Sequence, residues 1–408
     1  MIDCISETNL ASVLCVSNRT VESWINTKKI KVSLKKDNKN YFQLKELDIP
    51  EIKQMISSKW NSEKNIKPDR VYKSIELFAG AGGLALGLEK AGFSPVLLNE
   101  FDKYACETLR KNRPNLNVVE DDVHNIDFNC YKGEVDFLSG GFPCQAFSYA
   151  GNQKGFEDTR GTLFFEFARA IKEIQPKVFL GENVKGLLTH DNGNTFKIIS
   201  KVIDELGYYL VPPRVLRAVM YKVPQKRERI FLVGIRKDYA DKVCFEWPSP
   251  YKRVMTLRDA FYKGELFDSD VPESECQKYP KRKAEILSLV PQGGDWRDLP
   301  IDIQKEYMKG SFYLDGGKTG MARRLSLDEP SLTLTCSPAQ KQTERCHPLK
   351  TRPLSVREYA RIQTFPDEWE FMGPLTNKYK QIGNAVPVNL AEAMGHKLIK
   401  LLNDIYAL

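Results

Sequence analysis

The chain has 408 residues, 42% hydrophobic and 28% charged, enough apolar material for two or three packed domains and too much for a mainly disordered polymer. Lys and Arg number 61 against 53 Asp and Glu, a net +8 that favours polyanionic partners without identifying one. No apolar run approaches the roughly 18–20 residues of a membrane span, the first residues lack a signal peptide's basic and apolar stretches, and nine cysteines and four histidines show neither disulfide nor metal-ligand spacing, so the expectation is a cytoplasmic protein with reduced thiols and no metal.

Residues 1–70 read as a helix-turn-helix-like accessory domain and linker. Leu10, Ala11, Val13 and Leu14 give a short helical pattern, and Val16-Ser17 makes a turn. Ser17 can cap a second helix from Asn18 that places Val21, Trp24 and Ile25 on one face. Lys28, Lys29, Lys31, Lys35 and Lys36 then flank a short strand, like a basic wing, which points to DNA contact. Residues 51–72 read as linker.

From residue 74 short apolar strands (74–78, 96–99, 117–119, 135–139, 177–180) alternate with helices (84–91, 103–111, 163–174). This rhythm predicts an α/β fold with a doubly wound, mostly parallel sheet over 71–237, whose ligands sit at the carboxyl ends of its strands. It is lost over 238–367, a proline-punctuated basic segment read as a smaller lobe. At 368–408 the chain is expected to return to the sheet through an apolar-periodic helix of about 388–402.

The chemistry-bearing residues follow the strands. Phe78-Ala79-Gly80-Ala81-Gly82-Gly83-Leu84 opens a helix with backbone N–H groups that can face a nucleotide, and Glu100 stands where a dinucleotide enzyme would hold a ribose hydroxyl. Asp121-Asp122-Val123 supplies a further acid at the next strand end. Gly140-Gly141-Phe142-Pro143-Cys144 places a thiol like a nucleophile, and Glu182-Asn183-Val184 brings a carboxylic acid to the same edge. Gln225, Arg227 and Arg229 project to one side if the strand 230–234 extends back through them.

Taken in order, the segments 78–83, 140–148, 182–184, 225–229, 352–358 and 381–388 closely resemble the cytosine-5 DNA methyltransferases of prokaryotic restriction-modification systems. The likeness covers about residues 74–408, and the Pro-Cys-Gln, Glu-Asn-Val and Gln-x-Arg-x-Arg motifs are highly specific. It implies a sheet of the S-adenosylmethionine-dependent methyltransferase type and S-adenosylmethionine in place of a nicotinamide. Position by position it makes Cys144 the nucleophile and Glu182 the group that engages the cytosine ring nitrogen, with Arg227 and Arg229 contacting base and backbone. Phe78, Gly80, Gly82, Glu100, Phe101, Asp122, Val123 and Asn384 fall on cofactor-contacting positions; at 101 family members often carry another aromatic.

The resemblance further implies a target-recognition domain over 238–367 with the threonine element Thr333-Leu334-Thr335, and Arg253, Arg258, Lys281, Arg282, Lys283, Arg297, Arg323, Arg324, Lys341 and Arg345 give this lobe phosphate-binding capacity. Its substrate would be a cytosine flipped from a specific site in double-stranded DNA, enclosed by a glycine-bearing loop over 145–161. The enzyme is expected to act as a monomer, and residues 1–70 to bind separate operator DNA. Two alternatives stand beside this reading: the tRNA-methylating branch of the family, which lacks so large a lobe, and a DNA-binding regulator with a vestigial methyltransferase part, which Cys144, Glu182 and Arg227 argue against.

Overall fold

The computed structural model describes residues 4–36, 39–142 and 163–408. They form two compact units, one of residues 58–221, 228–250 and 386–408, the other of residues 1–57, 222–227 and 251–385. The chain crosses between units after residues 57, 221, 227, 250 and 385. This division departs from the boundaries read from the sequence. Residues 1–57 belong with 251–385 instead of standing apart, and the return to the sheet unit begins at 386 rather than 368.

The first unit is built on an eight-stranded sheet. Its strands are β1 (Tyr72–Leu77), β2 (Phe93–Glu100), β3 (Val118–Glu120), β4 (Phe137–Gly140), β5 (Val178–Val184), β6 (Tyr208–Leu210), β7 (Arg214–Arg217) and β8 (Glu228–Arg236). The order is β7-β8-β5-β4-β1-β2-β3, with β6 pairing β8 beside that path. Strands β5-β4-β1-β2-β3 are mutually parallel, while β6 and β7 are antiparallel to β8, which is itself antiparallel to β5. The chain leaves β1 toward β2 and β3, then returns to the other side of β1 for β4 and β5. That reversal opens a crevice at the carboxyl ends of β1 and β4.

Period-two alternation sorts the strand residues. Ile75 and Leu77 of β1, Leu97 of β2, Leu138 of β4 and Phe179 of β5 join one core with Phe167, Ile171, Ile199 and Ile203 from the helices Leu163–Ile174 and Asn194–Glu205. Glu76 and Ser139 alternate with these residues on β1 and β4 and are buried. Helix Gly83–Ala91 and the 19-residue helix Val388–Tyr406 cross closely through small residues. A Cβ on Gly87 would lie 2.4 Å from that of Ala391, and one on Gly395 2.6 Å from that of Ala91.

In the second unit, helices Glu7–Leu14 and Asn18–Asn26 are separated by three residues and accompanied by an antiparallel sheet of Cys4–Ser6, Lys39–Gln43 and Leu34–Lys36. The Ser17 hydroxyl accepts from the Thr20 N–H at 3.1 Å, the cap expected from the sequence. The stretch read as linker is partly helical. Pro50 starts Pro50–Ile56, which buries Ile52 and Met55, and Trp60–Glu63 follows in the sheet unit, where Glu63 accepts from the Ser249 N–H at 2.9 Å.

Residues 251–385 carry short helices and one two-residue strand, Ser331–Leu332, parallel to Gln225–Lys226. With so little ladder, backbone carbonyls are met by buried arginines. Arg361 donates to the carbonyls of Ala260 and Ser269, Arg324 to those of Leu287 and His347, and Arg345 to that of Thr333. Arg324 and Arg345, expected to face phosphates, are 5% and 4% exposed and brace the lobe from inside. Among the described residues no helix is long and apolar enough to cross a membrane.

Candidate active site

Strand β1 ends in a loop of unusual backbone. Phe78 (φ 58°), Gly80 (φ 55°) and Gly82 (φ 84°) are all left-handed. For Phe78 that conformation costs about 1–2 kcal/mol, a strain the surrounding sheet must hold. A Cβ on Gly80 would meet nothing within 4 Å, so glycine serves the turn there and leaves the space above it open.

Glu100, the last residue of β2, fastens this loop. One carboxylate oxygen accepts from the Gly80 N–H at 2.7 Å, the other from the Phe101 and Asp102 N–H groups at 2.9 and 2.8 Å. Phe101 stands beside it with 75% of its surface exposed. After β3, Asp122 accepts from the backbone and ring of His124 at 3.1 and 2.5 Å, hydrogen bonds that hold its carboxyl below the usual range, and Val123 is buried. Asn99 ties the two strand ends, donating from Nδ2 to the Asp121 carbonyl at 2.9 Å.

The ends of β4 and β5 meet in the same unit. Glu182 is joined to Arg229 by an ion pair of 2.6 Å, both side chains about seven-eighths buried (12% and 13% exposed). The two residues are diagonal neighbours across the β5–β8 ladder, where Val184 faces Arg229 and Phe231 faces Glu182. Gly141 lies under the carboxylate, since a Cβ there would come within 3.0 Å of Glu182 Oε2. Asn183 donates to the Phe142 carbonyl at 2.7 Å, which fixes the chain just before Pro143. Cys144 and the glycine-bearing loop over 145–161 lie outside the described residues.

Gln225, Arg227 and Arg229 do not share one strand as expected. Gln225–Lys226 is a separate strand of the other unit, and the Arg227 N–H folds back onto the Gln225 carbonyl at 3.1 Å, breaking the alternation. Arg227 is buried, with its guanidinium donating to the carbonyls of Leu334 and Asn384 at 3.3 Å each. The structure thus brings Arg227 and Asn384 together in one unit and gathers Glu182, Arg229, Glu100, Phe101 and the glycine loop in the other.

Three contributors escaped the sequence reading. Asn183 and Gly141 were inside the motifs but given no task. Glu76 was passed over, although a carboxylic acid in the middle of the run Ser-Ile-Glu-Leu-Phe is itself a signal. Ser139 donates to it at 3.3 Å. Burial pushes its carboxyl up to about 8, reinforced by the negative charges of Glu182 and Glu100 and opposed by hydrogen bonds from Ser139 and the Ala85 backbone.

The sheet agrees with the comparison to known proteins. The model of the C-5 cytosine-specific DNA methylase family matches residues 72–400, and the chain belongs to that family. It is therefore an enzyme that methylates DNA cytosine at C5. Among curated relatives, the Type II methyltransferase M.Eco47II of Escherichia coli is 64% identical over 403 residues, 98% of this chain and 96% of that protein. M.PspPI of a Psychrobacter strain is 61% identical over 97% of this chain and 95% of its own, and M.Sau96I of Staphylococcus aureus 52% over 83% and 78%. A solved prophage-encoded DNA modification methyltransferase of E. coli shares the fold at a TM-score of 0.63 and 23% identity, covering 81% of this chain and 99% of its own.

Proposed function

We propose that the enzyme uses S-adenosylmethionine to methylate a cytosine turned out of a specific double-stranded DNA site, as the modification partner of a restriction system in the bacterial cytoplasm. The observation that carries this reading is the crevice of the sheet unit. A strained glycine loop, a carboxylate fastened to it and an exposed aromatic stand at the ends of β1 and β2, and the Glu182–Arg229 pair stands at the ends of β5 and β8. Identity of 64% and 61% to Type II methyltransferases over nearly the whole chain supports the modification role.

The residues fit the cofactor. The open space above Gly80 admits a ligand against backbone N–H groups, Glu100 keeps one lone pair on Oε2 for a ribose hydroxyl, Phe101 offers a face for adenine, and Asp122 with Val123 lies at the next strand end. Phe78 and Gly82 complete the assigned set in this unit, and Asn384, assigned by the family likeness, stands in the other. S-adenosylmethionine bound there supplies an electrophilic methyl group.

The chain's own residues make cytosine able to accept that group. Cys144 adds as thiolate to C6, and Glu182 engages the ring nitrogen N3 so that electron density moves to C5. Arg229 sets the direction of the Glu182 carboxylate, and Arg227 fixes the Asn384 segment. Loss of the C5 proton to water or hydroxide then breaks the Cys144–C6 bond and restores the ring. Because C5 and C6 are inaccessible in stacked DNA, the base must first leave the helix.

In a transfer assay with tritiated S-adenosylmethionine, the wild type should label DNA and not tRNA, and Cys144→Ala should lose transfer while retaining DNA binding. With 5-fluorocytosine DNA the wild type should form a covalent adduct, because fluorine cannot leave as a proton does. Unchanged transfer by Cys144→Ala would refute the mechanism.

The N-terminal helices are proposed to bind operator DNA apart from the methylation target, the enzyme acting on its substrate as a monomer. Supporting this, Asn18 and Arg19 are exposed at the start of the Ser17-capped helix, and a groove of about 720 Å³ beside it is lined by Lys28, Lys31 and Lys35 against one acid, Glu22, with Ile25, Ile30 and Val32 as its apolar wall.

A further inference from the structure

Two large side chains with apolar rings are at least three-quarters exposed among the described residues, Phe101 at 75% and Tyr313 at 78%. Phe101 has a place in the proposed cofactor site. Tyr313 has no task in the mechanism, and its neighbour Leu314 is 66% exposed as well. An apolar pair displayed together in this way marks a contact surface more often than a lone exposed leucine does.

The segment that presents them is firmly held. Its shoulders, Lys309 (φ 52°) and Lys318 (φ 44°), are in the left-handed region, where side chains are rarely found. Lys318 Nζ donates to the carbonyls of Ser311 and Leu314, closing the segment on itself. Arg297 donates to the Gly317 carbonyl and lies over the Trp296 ring at 5.5 Å. Phe312 packs edge-on against Trp296 at 6.1 Å, next to a core that includes Ile286, Leu287, Tyr307 and Met308. Tyr313 and Leu314 are therefore offered to solvent by a braced loop.

Asp315 follows the pair, and positive charge gathers at one shoulder of the loop, around Lys309. Lys341 lies over the Tyr307 ring at 5.2 Å, and its ammonium is held below the usual lysine range by burial and by the like charges of Lys309 and Lys283. Lys283 is answered by Glu344 at 2.9 Å, whereas the charged neighbours felt by Lys341 are both lysines. Crowded ammonium groups beside an apolar tip complement a polyanion that also has apolar surface, as duplex DNA does in its grooves.

We propose that the loop 309–318 reads DNA: Tyr313 and Leu314 enter a groove of the substrate duplex and touch base edges and sugars, while Lys309 and Lys341 take phosphates. The inference rests on the DNA methyltransferase assignment and adds specificity-determining residues to it.

The test uses the full-length protein on a pool of genomic fragments, with bisulfite sequencing as readout. Tyr313→Ala with Leu314→Ala should lower kcat/KM at least tenfold, mainly through KM, and relax base preference at one or two positions of the methylated site. Cofactor affinity by calorimetry and the melting temperature should stay at wild-type values, and Tyr313→Phe should restore most of the loss. Lys309→Gln with Lys341→Gln should weaken all sites alike and reduce the slope of log affinity against log salt by about one to two. An unaltered kcat/KM and base preference in the Tyr313/Leu314 double variant, beside an active wild type, would overturn the inference. So would a change confined to self-association, which would assign the patch to a second copy of the chain. A wild type inert on DNA would instead overturn the methyltransferase assignment.

Discussion

In the sheet unit carboxylates are met by backbone N–H groups, as Glu100 is by Gly80, Phe101 and Asp102, whereas in the lobe guanidinium groups are spent on backbone carbonyls, as with Arg324, Arg345 and Arg361. The difference follows from the ladders. Parallel strands satisfy their own interior and leave N–H groups free at one edge, where a loop opens into a helix, so negative or electron-rich groups collect there. An irregular lobe leaves carbonyls unmet in its interior, and long cationic side chains fill the need. The contrast holds for the carboxyl edge of the sheet and the interior of the lobe, not for every charge in each unit: Arg169 of the sheet unit also donates to the Val123 and Ile126 carbonyls, and Glu358 of the lobe accepts from the Ser355 N–H.

The sharpest break in this contrast is made at the Glu182–Arg229 pair, which sits at the sheet edge but is joined like a strut. Glu182→Gln should lower the single-turnover methyl-transfer rate by about 10²–10⁴-fold, in the range of a lost acid–base group, with cofactor affinity unchanged. Arg229→Met should lower it less and leave DNA binding measurable by mobility shift. Equal rates for Glu182→Gln and wild type would mean that the pair is structural, like those of the lobe.

A second perturbation asks whether the loop depends on packing behind it. At Gly87 even a methyl group meets Ala391 Cβ at 2.4 Å and the Val388 carbonyl at 2.5 Å. Gly87→Ala should destabilise the sheet unit by about 1–3 kcal/mol, the usual cost of overpacking, measured by urea denaturation. An unchanged midpoint would show that the helix pair accommodates the methyl group at no net cost.

The smallest expected effect concerns Glu76. With its carboxyl pushed up to about 8 in the folded protein, the native state keeps a proton that the unfolded chain releases near its ordinary value of 4.5. Stability should therefore fall as pH rises from about 4.5 to about 8. Glu76→Gln should flatten that decline in denaturation curves taken across the range. A parallel decline in both proteins would place the titrating group elsewhere.

Much of the sheet unit was legible because its signals are local and repeated. Apolar runs, the glycines between Phe78 and Leu84 and the acids at strand ends mark themselves without reference to distant residues. The helix Leu163–Ile174 fell on the expected residues for the same reason. What was not legible depends on long-range partners. Nothing around Arg324 announces that Leu287 and His347 will present carbonyls to it, and nothing in Gln225–Arg229 shows that the segment breaks between two units. The helix at Pro50 was available to a closer reading, since proline at a first helical position is a start signal.

The crossing of Gly83–Ala91 by Val388–Tyr406 has a consequence in time. Residues 91 and 388 are 297 positions apart, so at roughly 5–20 residues per second a ribosome delivers the second helix about 15–60 seconds after the first. Throughout that interval the face of Gly83–Ala91 that Ala391 and Gly395 will cover is bare, and the helix that anchors the glycine loop lacks its support. The packing behind the glycine-loop helix is thus completed only when Val388–Tyr406 has emerged, long after the loop itself.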